Sequence, residues 1–271
     1  MKKIAMIIVL LAKMVVNSFS QEVVRLAKYA GNLKKMDVTI DGKRYAFLFD
    51  SGAGVTLISP AVASALGRTP YGRSVGFRMT GEKFIYQKCD RVKIKIGDKE
   101  ISHDTVGVFD LMSFLPAGLP RVDGVISLKS FQNEIISVDL GASQLILENR
   151  KSALKKQKHM TPLTSRFSTG QSGGDLDVFL GAKRDNKLFW FLFDSGNLDQ
   201  VRISSQTAAE WELQNEPAIG ATQKAELFFG PKADAAEVQV SDIIYDGALN
   251  YDYISKKIFL LDIIKKQVWM N

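Results

Sequence analysis

The sequence predicts a mostly β protein made of two homologous, barrel-like lobes with short helices. Three observations carry this. The hexapeptide Phe-Leu-Phe-Asp-Ser-Gly occurs twice, at Phe47–Gly52 and Phe191–Gly196, a coincidence expected on the order of once in a million sequences at average residue usage. A second pair of landmarks follows in the same order: Asp123-Gly124 is followed sixteen residues later by Asp139, and Asp246-Gly247 sixteen residues later by Asp262. Between these landmarks, apolar residues alternate in short runs bounded by turn residues, which is the period of strands.

The chain divides into four parts. In residues 1–20, Lys2 and Lys3 precede an apolar run from Ile4 to Val16, and small residues follow at Ser18 and Ser20, the pattern of a secretory signal peptide. That run is broken by Lys13 and is shorter than the ~20 residues a spanning helix needs, so an exported protein, periplasmic or secreted, without a lasting membrane anchor is expected. Residues 21–150 form the N-terminal lobe, 151–175 a basic and Ser/Gly-rich linker, and 176–271 the C-terminal lobe. Asp50 to Asp123 spans 73 residues and Asp194 to Asp246 spans 52, and loops absorb such a difference at little entropic cost.

Within the first lobe, Met36–Ile40 alternates, Asp41-Gly42 supplies a tight turn, and Tyr45–Phe49 returns into Asp50. A short helix is expected over Ala61–Leu66, with Ser59 as cap, Pro60 in its first turn and Gly67 as its stop. A further hairpin fits Gly76–Ile85, with its tip near Thr80-Gly81. The apolar loop Gly107–Pro120 has no match in the other half, and it reads equally as a cover over core or as a pocket wall. In the second lobe, Asp177–Leu180 goes out, Gly181–Lys187 turns, and Leu188–Phe193 returns; a helix follows over Gln206–Trp211, and Leu227–Lys232 turns much as the Thr80-Gly81 hairpin does.

Composition excludes several function classes. The formal charge is +7. Removing residues 1–20, which hold three lysines and no acids, leaves +4. The basic cluster from Arg150 to Lys158 lacks interleaved aromatics, so it reads as a solvated linker and not as a nucleic-acid surface. Cys89 is the single cysteine, so no internal disulfide forms, and its alternating surroundings place it in packing. The two histidines, His103 and His159, are too few and too far apart for a metal cluster or a Ser/His triad.

The two turns Phe49-Asp50-Ser51-Gly52-Ala53 and Phe193-Asp194-Ser195-Gly196-Asn197, with the later elements at Gly124 and Gly247, resemble the retropepsin-like and pepsin-like aspartic proteases that carry two lobes in one chain. The resemblance spans residues 35–271. It implies a bilobal acid-protease fold with a cleft between the lobes, where Asp50 and Asp194 meet as a catalytic dyad. It also implies that Ser51 and Ser195 bond across the lobe interface and that an extended peptide lies beneath a flap at Met79, Thr80, Gly81 and Glu82. Gly52 and Gly196 are expected to allow the tight turns. The implied partner is a peptide or protein substrate; no metal or other cofactor is required. With both lobes in one chain, a monomer is expected over an obligate dimer. The implied function is an exported aspartic endopeptidase, with a catalytically impaired peptide-binding protein as the alternative. The second turn departs from the family pattern: Asn197 stands where Ala, Ser or Thr is usual, and it either donates to Asp194 or crowds it, while Asp199 adds a nearby charge.

Overall fold

Each half begins with the hairpin that its alternating residues dictate. The computed structural model describes residues 21–170, 173–213 and 218–271, so the expected signal peptide lies outside the described residues. Strands β1 (Glu22–Arg25) and β2 (Ala27–Lys28) lead into β3 (Lys34–Ile40) and β4 (Lys43–Phe49), which pair antiparallel. Asp41 and Gly42 at the turn both have positive φ, 48° and 75°, the two-residue turn whose twist matches that of its strands.

The first lobe continues through β5 (Leu57–Ile58), β6 (Tyr71–Phe77), β7 (Lys83–Ile96), β8 (Lys99–Val108) and β9 (Gly124–Ile126). Strands β3, β4, β9, β5, β8 and β7 pair in that order, and β3 also pairs with β7 through Val38 opposite Ile96, which closes a barrel. The expected helix is Pro60–Ala65: the Ser59 hydroxyl accepts from Val62 N at 3.2 Å, and Gly67 ends it at φ 62°. Cys89 is buried in the barrel core.

Strands β10 (Ile135–Asp139) and β11 (Gln144–Glu148) complete the first half. The stretch read as a linker is largely structured. It holds the helix Arg150–Gln157, β12 (Thr161–Leu163) and β13 (Ser165–Ser168). Then come β14 (Asp177–Arg184), β15 (Lys187–Leu192), β16 (Val201–Ser204), β17 (Thr222–Leu227), β18 (Asp234–Ser241) and β19 (Gly247–Ala248).

Here the hairpin differs from the sequence reading: β14 runs on through Gly181 to Arg184, and the turn is the two residues Asp185-Asn186. Both have positive φ, 47° and 68°, a conformation that Asp and Asn tolerate better than other non-glycine residues. The second-lobe helix is Ser205–Glu210, one residue earlier than expected at each end, because Ser204 caps it by accepting from Thr207 N at 3.0 Å. The second barrel has the same strand plan, with β14, β15, β19, β16, β18 and β17 in order. Its ends meet through Lys183 N donating to Phe228 O at 2.9 Å.

The second-lobe turn at Leu227–Lys232 does not mirror the Thr80-Gly81 hairpin. It joins β17 to β18, the place that Gly97-Asp98 takes between β7 and β8. Among the described residues, the second barrel has no strand corresponding to β6. The extra residues of the first half are therefore β6 and the loop between β8 and β9.

The last strands, β20 (Phe259–Asp262) and β21 (Gln267–Met270), join β1, β11, β10 and β12 in a six-stranded sheet, order β1-β11-β10-β20-β21-β12. This sheet ties the lobes together, with Ile135 of the first half opposite Asp262 of the second. The repeated acids Asp139 and Asp262 do the same job in it. Asp139 accepts from Ala142 N at 2.9 Å and Asp262 from Lys265 N at 2.9 Å, each closing its hairpin turn.

Candidate active site

The two Asp-Ser-Gly turns leave the ends of β4 and β15 and meet between the lobes. What brings them together is a reciprocal hydrogen-bond grip. Ser51 Oγ donates to Phe193 O at 2.7 Å and accepts from Ser195 N at 2.9 Å, while Ser195 Oγ accepts from Ser51 N at 3.0 Å. Both serines are buried, so these bonds form without competition from water and each is costly to lose.

The glycines act by close approach and not by backbone conformation, contrary to the turn argument from sequence. Neither Gly52 nor Gly196 has a left-handed φ. A Cβ on Gly52 would lie 2.4 Å from Asp194 Cγ, and one on Gly196 would lie 2.5 Å from Asp50 Oδ2. Each carboxyl therefore rests on the bare glycine of the opposite turn, which is why both turns need glycine at this place. Gly52 N donates to Asp50 Oδ1 at 2.9 Å, and Gly196 N to Asp194 Oδ1 at 2.8 Å.

The Asp50 and Asp194 carboxyls act directly on each other's protonation. Burial raises Asp50 above the usual carboxylate range, against the lowering effect of the Gly52 and Gly196 amides. Burial also raises Asp194, well above that range, and the Asp50 charge pushes it further. Two carboxyls in contact cannot both ionise readily, so the pair holds a shared proton and titrates as a unit.

The landmark acids support these turns. Asp123 Oδ2 accepts from Ala46 N at 3.1 Å, and Asp246 Oδ2 accepts from Trp190 N at 2.7 Å, so each braces the strand that runs into an Asp-Ser-Gly turn. Gly124 and Gly247 let β9 and β19 pass close by: a Cβ at Gly124 would lie 2.2 Å from Leu57 O, and one at Gly247 2.4 Å from the Phe191 ring. The bracing role of Asp123 and Asp246 was not read from sequence, although their repetition was the signal.

Asn197 neither crowds Asp194 nor donates to it from its side chain. Its Nδ2 donates to Gln200 O and Leu249 O, both at 3.2 Å, and only its backbone N reaches Asp194 Oδ1, at 3.2 Å. Asp199 is turned away in an ion pair with Arg202. Ala53 packs with Val55 in a small apolar cluster that also takes in Tyr86, Phe84, Phe109 and Leu111. The Phe84, Phe109 and Phe114 rings pack in tilted and edge-on pairs with centroids 4.8–5.3 Å apart, and Phe114 remains 37% exposed. The Gly107–Pro120 loop thus packs on β7 and the first turn.

Met79, Thr80, Gly81 and Glu82 form the tip between β6 and β7, where Arg78 N donates to Glu82 O at 2.8 Å. The tip crosses to the second lobe. Ile244 N donates to Met79 O at 2.9 Å, and Gly81 lies against Ile244. Sequence gave no sign of that contact, because nothing marks Ile244.

A family model described as aspartyl protease matches residues 36–128. This stretch is similar to an aspartyl protease domain. It spans the first barrel of the fold, from β3 through β9, and contains Asp50 and the flap. A search of the curated proteins returns no match. Among solved structures, the chain is similar to conglutin gamma, a basic 7S globulin from lupine seeds, at 10% identity and a TM-score of 0.56, covering 93% of this chain and 95% of that one. It is similar to the basic 7S globulin from soybean at 7% identity, with the same TM-score and coverage. At such identities the likeness concerns the fold alone, the bilobal pepsin-like one, and the aspartyl protease match falls on its first lobe.

Proposed function

We propose that the protein is an aspartic endopeptidase in which Asp50 and Asp194 activate a water against a peptide bond. The observation that carries this is the seating of each carboxyl on the glycine of the opposite turn, which puts both acids within reach of one water. The ionised member takes a proton from that water as its oxygen bonds to the carbonyl carbon, and the protonated member gives its proton to the carbonyl oxygen. When the tetrahedral species collapses, the C–N bond breaks and a proton passes to the leaving amine. One proton remains on the pair. An extended peptide lies across the cleft beneath Met79–Glu82, pairing main chain to main chain. Release of the Ile244 contact admits it. We place the protein outside the cytoplasm, in the periplasm or secreted, as a monomer.

A second reading is a peptide-binding protein without turnover. The flap tip's bond to Ile244 across the cleft favours it, and the similar solved structures are basic 7S globulins. A mixed peptide library incubated from acid to neutral pH and read by mass spectrometry separates the two. Endopeptidase action gives new termini that are absent with Asp50→Asn and with Asp194→Asn, inhibition by statine-type transition-state mimics and indifference to chelators. Turnover that survives in either variant overturns the two-acid mechanism, and peptide retention without new termini establishes the binding reading.

A further inference from the structure

The duplication makes the two lobes comparable position by position, and beside the acid pair they differ. In the first lobe Lys34 stands opposite Phe49 in the β3–β4 register, so Leu33 stands opposite Asp50. In the second lobe Phe179 stands opposite Leu192, and Phe193 N donates to Val178 O at 2.8 Å, which carries the pairing on until Asp177 stands opposite Asp194. The lobe-equivalent of an apolar leucine is thus a carboxylic acid.

Asp177 also reaches the other turn. Its Oδ1 lies 3.1 Å from the position a Cβ would take on Gly54, and the neighbouring Leu176 N donates to Gly54 O at 2.9 Å. Asp177 is therefore lodged between the strand that delivers Asp194 and the turn that delivers Asp50.

Resting on the proposed function, we infer that Asp177 is a positioning residue for the pair: its carboxylate keeps the proton shared by Asp50 and Asp194 in place to a higher pH than the pair alone would hold it. The reason is Coulombic. A third negative charge lodged against the turn that carries Asp50, in a site where water is scarce, opposes the appearance of a second charge on the pair.

The groups that face Asp177 are consistent with this. They are Asp175 from the loop before it, Asp50 from the first turn, and Tyr245, which also faces Asp194 and whose ring packs on Phe179 with centroids 5.2 Å apart. Tyr86 of β7 faces Asp175. Among the described residues no ion pair neutralises Asp175 or Asp177; the nearby Lys129 Nζ instead donates to Gly173 O at 2.6 Å. Burial, then the charges of Asp175 and Asp50, push Asp177 itself up to about 6, and coupling between carboxyls is mutual.

The test compares the native protein with Asp177→Asn, which keeps the shape, and Asp177→Leu, which installs the first-lobe residue. In the pH profile of kcat/KM, both variants are expected to move the alkaline limb down by about one unit, a roughly tenfold lower kcat/KM at pH 7, with a much smaller loss at pH 4. An alkaline limb that stays in place, or a loss of equal size at every pH, overturns the inference. If the native protein cleaves nothing, the proposed function fails, and carboxyl-carbon NMR titration of the aspartates still decides this point. The pair's upper titration falling in both variants supports it; the same midpoint in all three proteins refutes it.

Discussion

His103 should make the first barrel lose stability on acidification, by an amount that its surroundings set. It lies on β8 opposite Val92, is 7% exposed, and its Nε2 has no hydrogen-bond partner among the described residues. Burial disfavours the imidazolium, the Asp104 charge opposes this, and the Lys129 charge adds a smaller push in the same direction as burial; together they bring the group from 6.5 to about 4. A base whose value is depressed by folding binds its proton earlier in the unfolded chain. Its contribution is therefore intact above pH 6.5 and is lost as pH falls toward 4. The drop from 6.5 to about 4 corresponds to about 3 kcal/mol. His103→Phe fills the site without titrating, so urea unfolding of native and variant proteins between pH 7 and pH 4 should show their stability difference changing by about 3 kcal/mol in favour of the variant. NMR gives a direct check, since the chain has only two histidines and His159 is exposed. A pH-independent stability difference, or a His103 resonance titrating near 6.5, would refute the reasoning.

The grip between the turns should be uneven. Ser51→Ala removes two buried hydrogen bonds and strands Phe193 O and Ser195 N, at a cost of about 2–4 kcal/mol, whereas Ser195→Ala strands only Ser51 N and should cost about 1–2 kcal/mol by denaturant unfolding. Equal losses would show that the grip is not built this way. Gly124→Ala drives a Cβ onto the Leu57 carbonyl as well as the Phe47 ring, while the nearest atoms to a Cβ in Gly247→Ala all belong to the Phe191 ring. Overpacking of this kind costs about 1–3 kcal/mol, and thermal melts should place Gly124→Ala as the more destabilised of the two because a backbone carbonyl cannot rotate aside.

What could be read from sequence was whatever depends on neighbours along the chain. Asp41-Gly42 is a turn because those two residues accept positive φ, and Ser59-Pro60 opens a helix because a hydroxyl and a fixed φ act within one turn. The acids at 50 and 194 announced themselves through repetition. Gly181 misled because glycine punctuates chains locally, yet here it continues β14 beside Thr164, with Gly181 N donating to Thr164 O at 2.9 Å. The closure of β3 on β7, the crossing of the flap tip to Ile244 and the placement of Asp177 against Gly54 each join residues far apart in sequence. No local pattern encodes them, and Asp177 became legible only when the register of β14 and β15 was set beside that of β3 and β4.

That comparison also bears on how a duplicated cleft acquires a direction. Two identical lobes would present a two-fold symmetric groove, in which a peptide could lie with equal favour in either sense. Here the symmetry holds for the parts that build the acid pair, namely Ser51 and Ser195, Gly52 and Gly196, and Asp123 and Asp246. It is broken in the parts around the pair. The flap and the Phe84, Phe109 and Phe114 cluster belong to the first lobe alone, whereas the acid beside the pair belongs to the second, where the first has Leu33. A main chain lying across the groove thus meets an aromatic cluster against one turn and a carboxylate lodged between both turns. On the proposed function these unlike surroundings give the two senses of binding different energies, so the departures from the repeat orient the substrate while the repeat itself supplies the chemistry.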